Sequence, residues 1–230
     1  MNQLRTHGIV LTRVDYGEAD RIITVLTPDV GKLTLIAKGV RRVKSKLAGG
    51  IELFSVSEIT YIQGRGSVST LISARLQRHY GHIVTDIERT MAGYELIKVL
   101  NKVTEDESEV AYYTMLEQAF SALDDATISL KLIQIWFNAQ LLTFAGHIPN
   151  LVTATDGTKL QADARYIFDF DAVALTRSEE GSFGVNEIKF LRLLFAASTP
   201  KLLSVVDGAG EYAKKLEGFV TLLRQNHLRI

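Results

Sequence analysis

The spacing of apolar residues predicts strands in the first part of the chain and helices in the rest. Over residues 1–80, short runs rich in Ile, Val, Leu and Thr alternate with Gly, Pro and Asp turn residues. These runs predict five strands, at residues 8–14, 22–27, 33–38, 53–62 and 68–76. Five short strands fit a small closed barrel, of which the five-stranded OB-fold is the common soluble form. An SH3-like barrel fits the strand count nearly as well.

Helical periodicity begins at residue 83. Ile83, Ile87, Met91, Tyr94 and Ile97 are spaced by three or four residues, which predicts one buried helical stripe. A capping box of Thr85 with Glu88 is predicted to start this helix.

Two further helices are predicted to follow and to pack with the first as one bundle. Thr104 and Glu107 have capping-box spacing before an apolar pattern that runs from Val110 to Leu123. A third helix is predicted over residues 128–145, ending at Gly146.

Residues 147–183 interrupt the helical pattern. Asp156-Gly157 predicts a tight hairpin turn, and residues 166–170 alternate like a strand. Helical spacing returns near residues 188–195 and 210–223. The predicted fold class is therefore α+β. A five-stranded OB-fold β-barrel domain (1–80) precedes a mainly helical domain (81–230) with a small β insertion at about 147–183.

Composition narrows the classes of protein that fit. The chain of 230 residues is 47% hydrophobic and contains no cysteine. Disulfides, thiol nucleophiles and Cys-ligated zinc are thereby excluded within it. No apolar run approaches the ~18 residues of a membrane helix, and the first residues lack the apolar stretch of a signal peptide. A cytoplasmic location without membrane association is expected.

The net charge of zero conceals a polarised chain. Residues 1–80 hold 12 Lys/Arg and 6 Asp/Glu, a net charge of +6, which leaves 14 basic and 20 acidic residues (−6) for the remainder. This asymmetry suggests that the first part faces a polyanion and the second has another task.

The most one-sided segment is residues 38–46, which carries cations and no acid. If extended, it would project alternate side chains to one side at ~6.6 Å intervals, which suits a sugar-phosphate backbone. The alternative is a solvated basic loop. The predicted nucleic-acid contacts in this segment are Lys38, Arg41, Arg42, Lys44 and Lys46. Arg65, between two glycines, is predicted to extend the path.

Aromatic residues provide stacking platforms for bases in single-strand binding. Tyr16, Phe54, Tyr61 and Tyr80 are the candidates in residues 1–80, and barrel cores usually take up such residues. Tyr16, in a polar turn, is the one predicted to be exposed.

The search for catalytic motifs gives little. The sequence has no phosphate-binding G-x-x-x-x-G-K-[ST] motif and no G-x-S-x-G nucleophile motif. His79 and His82 form a weak candidate metal pair, and Asp169 and Asp171 could share a strand face. The prediction is a non-enzyme with no catalytic residue, metal or cofactor.

Several segments together resemble the bacterial RecO family of recombination-mediator and DNA-repair proteins. In order, these are residues 8–11 (GIVL), 15–22 (DYGEADRI), 27–33 (TPDVGKL), 37–42 (AKGVRR), 44–49 (KSKLAG) and 64–66 (GRG). They cover most of the first 75 residues. Beyond them the resemblance is mainly one of helical pattern, together with residues 146–151 (GHIPNL).

The resemblance implies an N-terminal OB-fold and a helical domain. It also implies binding of single- and double-stranded DNA, annealing of complementary strands and loading of recombinase, which places the protein at the nucleoid. The implied partners are RecR and the C-terminal tail of single-strand binding protein. Many relatives carry four zinc-binding cysteines after the position of Pro149, whereas this chain has Thr153-Ala154-Thr155-Asp156-Gly157. Zinc is therefore not expected, and the insertion must be held by packing.

Two other functions remain open from the sequence. An RNA-binding adaptor with an OB barrel would use the same basic loop, and a metal-dependent nuclease would use Asp169 and Asp171. A monomer is expected, because no long heptad pattern or large apolar stripe is present.

Overall fold

The computed structural model describes residues 2–104 and 110–228 and divides the chain into two compact units. Unit 1 is Met1–Ala126 and unit 2 is Thr127–Ile230. Residue 80, the predicted end of the first domain, lies within unit 1. That residues 1–80 fold as an independent domain stays a prediction. Glu107 of the predicted second capping box lies outside the described residues. Across the part of the chain described, no helix is both long and apolar enough to cross a membrane.

Unit 1 begins with a closed five-stranded barrel. Its strands are β1 (Gln3–Tyr16), β2 (Asp20–Thr27), β3 (Gly31–Ala37), β4 (Ser55–Ile62) and β5 (Val68–His79). The order is β1-β2-β3-β5-β4, with β3 and β5 parallel and the other pairs antiparallel. This is the OB-fold arrangement, so the predicted OB-fold is confirmed over the SH3-like alternative.

The barrel closes through the first residues of β1, which the apolar pattern did not predict as strand. Gln3 to Ile9 pair with β4 from Ile62 to Val56, while later β1 residues pair with β2. The long strand β1 therefore pairs with both β4 and β2. Inward-facing side chains fill the interior, among them Val10, Ile23, Val25, Leu35, Ile59 and Leu71.

Two helices pack on the outside of the barrel: α1 (Ile87–Val103) and α2 (Val110–Leu123). Phe54, directly before β4, contacts Tyr94 of α1 and Phe120 of α2 edge to face, with ring centroids 5.3 and 5.4 Å apart. Such contacts contribute roughly 0.5–1.5 kcal/mol each beyond burial. Lys32 of β3 also donates to the carbonyl of Asn101 at 3.1 Å.

The predicted stripe on α1 is wrong at its centre. Ile87 and Met91 are 75% and 57% exposed, and Tyr94 is half-exposed. The buried face is instead formed by Arg89, Ala92, Gly93, Leu96, Ile97 and Leu100.

The predicted capping box at the start of α1 is also wrong. Asp86 is the N-cap, and its carboxylate accepts from the N–H groups of Glu88 and Arg89 at 2.8 and 3.1 Å. The Thr85 hydroxyl donates instead to the carbonyl of His82.

Unit 2 contains α3 (Leu130–Phe144), α4 (Val185–Ala196), α5 (Pro200–Ser204) and α6 (Ala209–His227). Because α3 belongs to unit 2 while α1 and α2 belong to unit 1, the predicted single bundle of three helices is wrong. The buried Trp136 of α3 donates its indole N–H to the carbonyl of Ala197 at 2.8 Å.

The β insertion is present as a three-stranded sheet of β6 (Asn150–Ala154), β7 (Tyr166–Asp169) and β8 (Ala174–Arg177), in the order β6-β8-β7. The predicted turn at Asp156-Gly157 is observed, bridged by Thr153 and Lys159. Its Asp156 carboxyl accepts from the hydroxyl and N–H of Thr158, which lowers its pKa.

Four rings attach the insertion to α6. This phenylalanine cluster consists of Phe168, Phe170 and Phe183, around Phe219 of α6. The ring centroid of Phe219 lies 4.8 Å from that of Phe168 and 4.9 Å from that of Phe183. The sheet is therefore packed through carbon rings in a chain that has no cysteine.

Candidate nucleic-acid interface

The connection between β3 and β4, residues 38–54, is called here the basic loop. All five of its predicted contact residues are exposed: Lys38, Arg41, Arg42, Lys44 and Lys46. In the described structure, every one of these cations except Arg41 lacks a carboxylate within ion-pair distance. The loop thus presents free positive charge beside one end of the barrel.

The loop is folded into turns, so the extended row of cations expected from the sequence is not formed. The N–H of Arg42 donates to the carbonyl of Gly39 at 3.1 Å, and that of Ser45 to the carbonyl of Arg42 at 2.9 Å. Gly39 has φ of 66°, which favours glycine at this first turn. The cations therefore form a cluster rather than a line.

Apolar side chains fix the loop to the barrel between its cations. Val40 and Ile51 are buried in the barrel core, and Leu47 packs against the same core. Ala48–Gly50 form a short 3-10 turn next to Leu47. Because anchors alternate with charged residues, little conformational entropy remains to be lost when the loop binds a partner.

The turn between β1 and β2 and the first residue of β2 are hydrogen-bonded to the first turn of the basic loop. The N–H of Arg41 donates to the carbonyl of Ala19 at 2.9 Å, and the N–H of Gly39 donates to the Asp20 carboxylate at 2.7 Å. These two contacts set the position of the first loop turn relative to β2.

Asp15 ties the loop to the same hairpin by charge. Its carboxylate accepts from Arg21 Nε at 2.8 Å and lies 3.5 Å from Arg41 Nε. The hydrogen bond from Arg21, with the charges of Arg41, Arg21 and Arg13, lowers the pKa of Asp15. Asp15 therefore remains ionised at neutral pH and holds one of the loop's guanidinium groups.

Tyr16 lies beside the loop and is 54% exposed, as predicted. It ends β1 opposite Asp20, on the outer barrel face that carries Val14 two residues earlier. The pairing continues this outer row through Ile22 to Ile36. Phe54, Tyr61 and Tyr80 are buried, so Tyr16 is the candidate of the four that remains available for stacking.

Arg65 is exposed, and the structure does not bring it to the basic loop. It lies in the β4–β5 connection, and Val68 three residues later pairs with Thr34 at the middle of β3. Lys38 follows the last residue of β3. The two cations therefore lie toward opposite ends of the barrel, since Thr34 and Lys38 alone are separated along β3 by roughly 13 Å.

The sequence reasoning missed Asp15 and Asp20 as positioning residues. A search for cations treats nearby acids as unfavourable. The signal that could have found them is the pair of aspartates flanking the tight turn Tyr16-Gly17-Glu18-Ala19, where carboxylates commonly accept from backbone N–H groups.

Asp169 and Asp171, the residues of the nuclease alternative, lie in a turn. The Asp169 carboxylate accepts from the N–H groups of Asp171 and Ala172 at 3.0 and 2.9 Å. Asp171 lies beyond the end of β7, so the expected shared strand face is not formed. Among the described residues, no three His, Cys, Asp or Glu side chains are grouped to hold a metal ion.

Comparison with known proteins matches the region that forms the barrel. Residues 1–80 match the family model described as "Recombination protein O N terminal". The chain is 30% identical to a protein of Rubrobacter xylanophilus over 64% of its length, and 34% identical to one of Rhodopirellula baltica over 62%. Both relatives are named "DNA repair protein RecO".

The extent of the match differs between relatives. The chain spans 59% and 53% of the lengths of those two proteins, somewhat more than half. A "DNA repair protein RecO" of Acetivibrio thermocellus is 30% identical over 94% of this chain and 90% of its own length. This similarity runs through both units, so the chain belongs to the RecO family.

Proposed function

We propose that this protein is a DNA-repair and recombination mediator that acts by binding rather than by covalent catalysis. In this proposal it binds single- and double-stranded DNA, anneals complementary strands and helps load recombinase onto DNA coated with single-strand binding protein. The observation that carries the proposal is the basic loop: five exposed cations held between buried anchors on an OB barrel. The relatives' common name, DNA repair protein, supports the same role.

The proposed mechanism is electrostatic. Lys38, Arg42 and their neighbours would neutralise phosphates and displace counterions, which is favourable and independent of sequence. Neutralised strands repel each other less, so complementary bases can pair without a cofactor. Tyr16 would stack on a base at the side of the loop.

We further propose that residues 81–230 bind proteins rather than DNA. This part of the chain has 14 basic and 20 acidic residues, a net charge of −6, which disfavours contact with phosphates. The proposed partners are RecR and the C-terminal tail of single-strand binding protein. Pull-down of each purified partner, with wild type and with the loop variant described next, tests this: binding should be unaffected by loop charge reversal.

The central experiment measures fluorescence anisotropy of a labelled single-stranded DNA across a salt series. Wild type is compared with the triple variant Arg41→Glu/Arg42→Glu/Lys44→Glu. Four or five phosphate contacts predict a log–log slope of about −3 for the wild type, and a much flatter slope for the variant. An annealing assay with two complementary strands should show a parallel loss of rate.

A matched control reverses charge away from the loop. Lys98→Glu/Lys102→Glu changes two exposed lysines of α1 and should leave both binding and annealing near wild type. Binding that is unaffected by the triple variant would contradict the proposal. A clear preference for RNA of the same sequence would favour the RNA-adaptor alternative.

A further inference from the structure

The second half of β5 is an exposed basic strand end beside the basic loop. β3 pairs with β5 at Val68–Thr70, and β4 accompanies β5 on to His79. Arg75, Arg78 and His79 are all exposed. None of these residues belongs to the predicted contact set.

A β-bulge places the two arginines on the same side of the sheet. Arg75 pairs with Glu58 and Leu76 with Ser57, but the next residue of β4, Val56, pairs with Arg78. Gln77 is therefore the extra residue of the bulge. Its insertion turns the Arg78 side chain to the outer face of the barrel, which is the face that Arg75 occupies. Without this bulge, Arg78 would alternate onto the inner face.

The arginines of this strand end are exposed, and Arg78 lines a surface depression that also contains Asp86, Asp124 and Asp125. Across the described residues, neither Arg75 nor Arg78 forms an ion pair within 4.0 Å. The guanidinium of Arg78 lies 5.1 Å from the centre of the Tyr80 ring, which orients it without neutralising it. Glu58 is the cross-strand neighbour of Arg75 and the nearest acid by pairing.

The basic loop and this strand end meet at one backbone contact. A Cβ built on Gly50, in the loop's 3-10 turn, would lie 2.2 Å from the carbonyl oxygen of Ala74. Ala74 directly precedes Arg75. The positive surface of the loop therefore continues onto β5 without an intervening element.

We propose that Arg75, Arg78 and His79 continue the DNA-binding surface of the basic loop, contacting the backbone of the same single strand as it passes over Gly50. This inference rests on the proposed function of the loop. Unpaired guanidinium groups suit phosphate oxygens. The two arginines lie roughly 7 Å apart along the strand, because their partners Glu58 and Val56 are two residues apart on β4.

A peptide added as a further strand fits this edge less well. The loop covers β5 at Ala74, which leaves only a few residues at the end of the strand for backbone pairing. Strand addition usually needs a longer free edge and alternating side-chain pockets. The exposed arginines instead favour a polyanion.

The test compares Arg75→Glu/Arg78→Glu with the loop triple variant and with the α1 control Lys98→Glu/Lys102→Glu. For a ~20-nucleotide single strand, the two added contacts steepen the expected wild-type slope from about −3 to about −4.4. The β5 variant should bind about tenfold more weakly at moderate salt, with a slope flatter by about 1.4. Arg75→Gln/Arg78→Gln should show a smaller loss in the same direction. Circular dichroism checks that each variant is folded.

The length of the DNA strand distinguishes direct contact with β5 from a general effect of the changed charge. A ~6-nucleotide strand, near the lower end of OB-fold site sizes, should be bound by the loop alone and respond little to the β5 variant. If the β5 variant matches the α1 control on the long strand while the triple variant loses binding, this inference fails and the proposed function stands. If the wild type shows no salt-dependent binding, the proposed function itself fails.

Discussion

Gly50 marks the point where the basic loop touches the barrel wall. A methyl group there would overlap the backbone of Ala74, which cannot rotate away as a side chain can. Gly50→Ala should therefore displace the 3-10 turn and destabilise the protein by about 1–3 kcal/mol. Urea unfolding monitored by circular dichroism measures this.

The neighbouring glycine is a matched control for that change. Nothing lies within 4 Å of a Cβ built on Gly49, so Gly49→Ala should have almost no effect on stability. Equal midpoints for Gly49→Ala and Gly50→Ala would show that the contact with Ala74 is not rigid.

Asp15 is predicted to restrain DNA binding by the proposed interface. Its carboxylate lies against Arg41 and would repel phosphates that approach the loop. Asp15→Asn should strengthen single-strand binding by roughly two- to fivefold at low salt, less at high salt. Anisotropy titration measures it, with Glu95→Gln on α1 as the control of equal charge change.

The pH dependence of that effect follows from the lowered pKa of Asp15. Since the hydrogen bond from Arg21 holds the folded pKa of Asp15 below its ordinary value, Asp15 is ionised throughout the range from neutral to mildly acidic pH. The gain from Asp15→Asn should therefore be the same at about pH 5 and about pH 8. A gain that disappears at pH 5 would contradict this assignment.

Among the helices, α1 and α2 are joined by a buried arginine. Arg89 of α1 donates to the carbonyls of Leu123, Asp125 and Ala126 at 2.9, 3.0 and 3.2 Å. Leu123 ends α2, and Asp125 and Ala126 follow it, so Arg89 satisfies carbonyls at and just beyond the end of the helix, where intrahelical partners are lacking. Arg89→Met should lower the free energy of unfolding by about 2–4 kcal/mol.

Thermal unfolding of the Arg89 variant is best compared with Lys98→Met, on the exposed face of the same helix. That change should cost well under 1 kcal/mol. Similar melting temperatures for the two variants would contradict the bridging role of Arg89.

In unit 2, Glu187 connects α4 with α6. It accepts from Lys215 Nζ at 2.5 Å and from the N–H of Gly184 at 3.0 Å. Burial alone would raise the pKa of Glu187, but these hydrogen bonds outweigh it and the pKa is lowered from 4.5. The contact therefore contributes stability above about pH 4.5, which is lost as pH falls through the folded pKa.

Glu187→Gln should accordingly lower the melting temperature near neutral pH, and the difference from wild type should shrink as the pH falls toward about 3. Glu211→Gln, at an exposed pair with Lys214, should show almost no difference at any pH. A constant gap between Glu187→Gln and wild type across this range would count against an ionised Glu187.

At this scale the sequence predicted most elements and misplaced some of their faces. Turn residues bounded the strands clearly, and the apolar stripe predicted from Val110 to Leu123 lies on α2. The face of α1 was mispredicted because it buries Arg89 and Gly93, which a hydrophobic scan leaves out. The start of β1 was missed because residues such as Gln3 and Arg5 are polar and gain strand structure only from pairing with β4.

For the candidate site, the sequence likewise predicted which residues take part but not how they are arranged. Cations could be identified from the residues alone, because six of them occur between Asp29 and Glu52 without an acid. Their arrangement could not, because it depends on contacts distant in sequence, such as the hydrogen bond between Asp20 and Gly39. The register of β3 with β5 likewise decided that Arg65 lies away from the loop.

For the whole chain, the contacts of Phe54 and Tyr80 bear on where an independent domain ends. Both side chains are buried, and both rings contact Phe120 of α2, with centroids 5.4 and 5.6 Å apart. A fragment of residues 1–126 should therefore unfold at a clearly higher urea concentration than a fragment of residues 1–80. Equal midpoints would show that the barrel needs neither helix.

The phenylalanine cluster determines how unit 2 responds to oxidising conditions. Thiolates that hold an ion lose it when they are oxidised, and the structure built around that ion is lost with it. Carbon rings undergo no such reversible chemistry, and the chain offers no cysteine for peroxide to attack. The attachment of the β6–β8 sheet to α6 through Phe219 is thus chemically inert to the redox state of its surroundings.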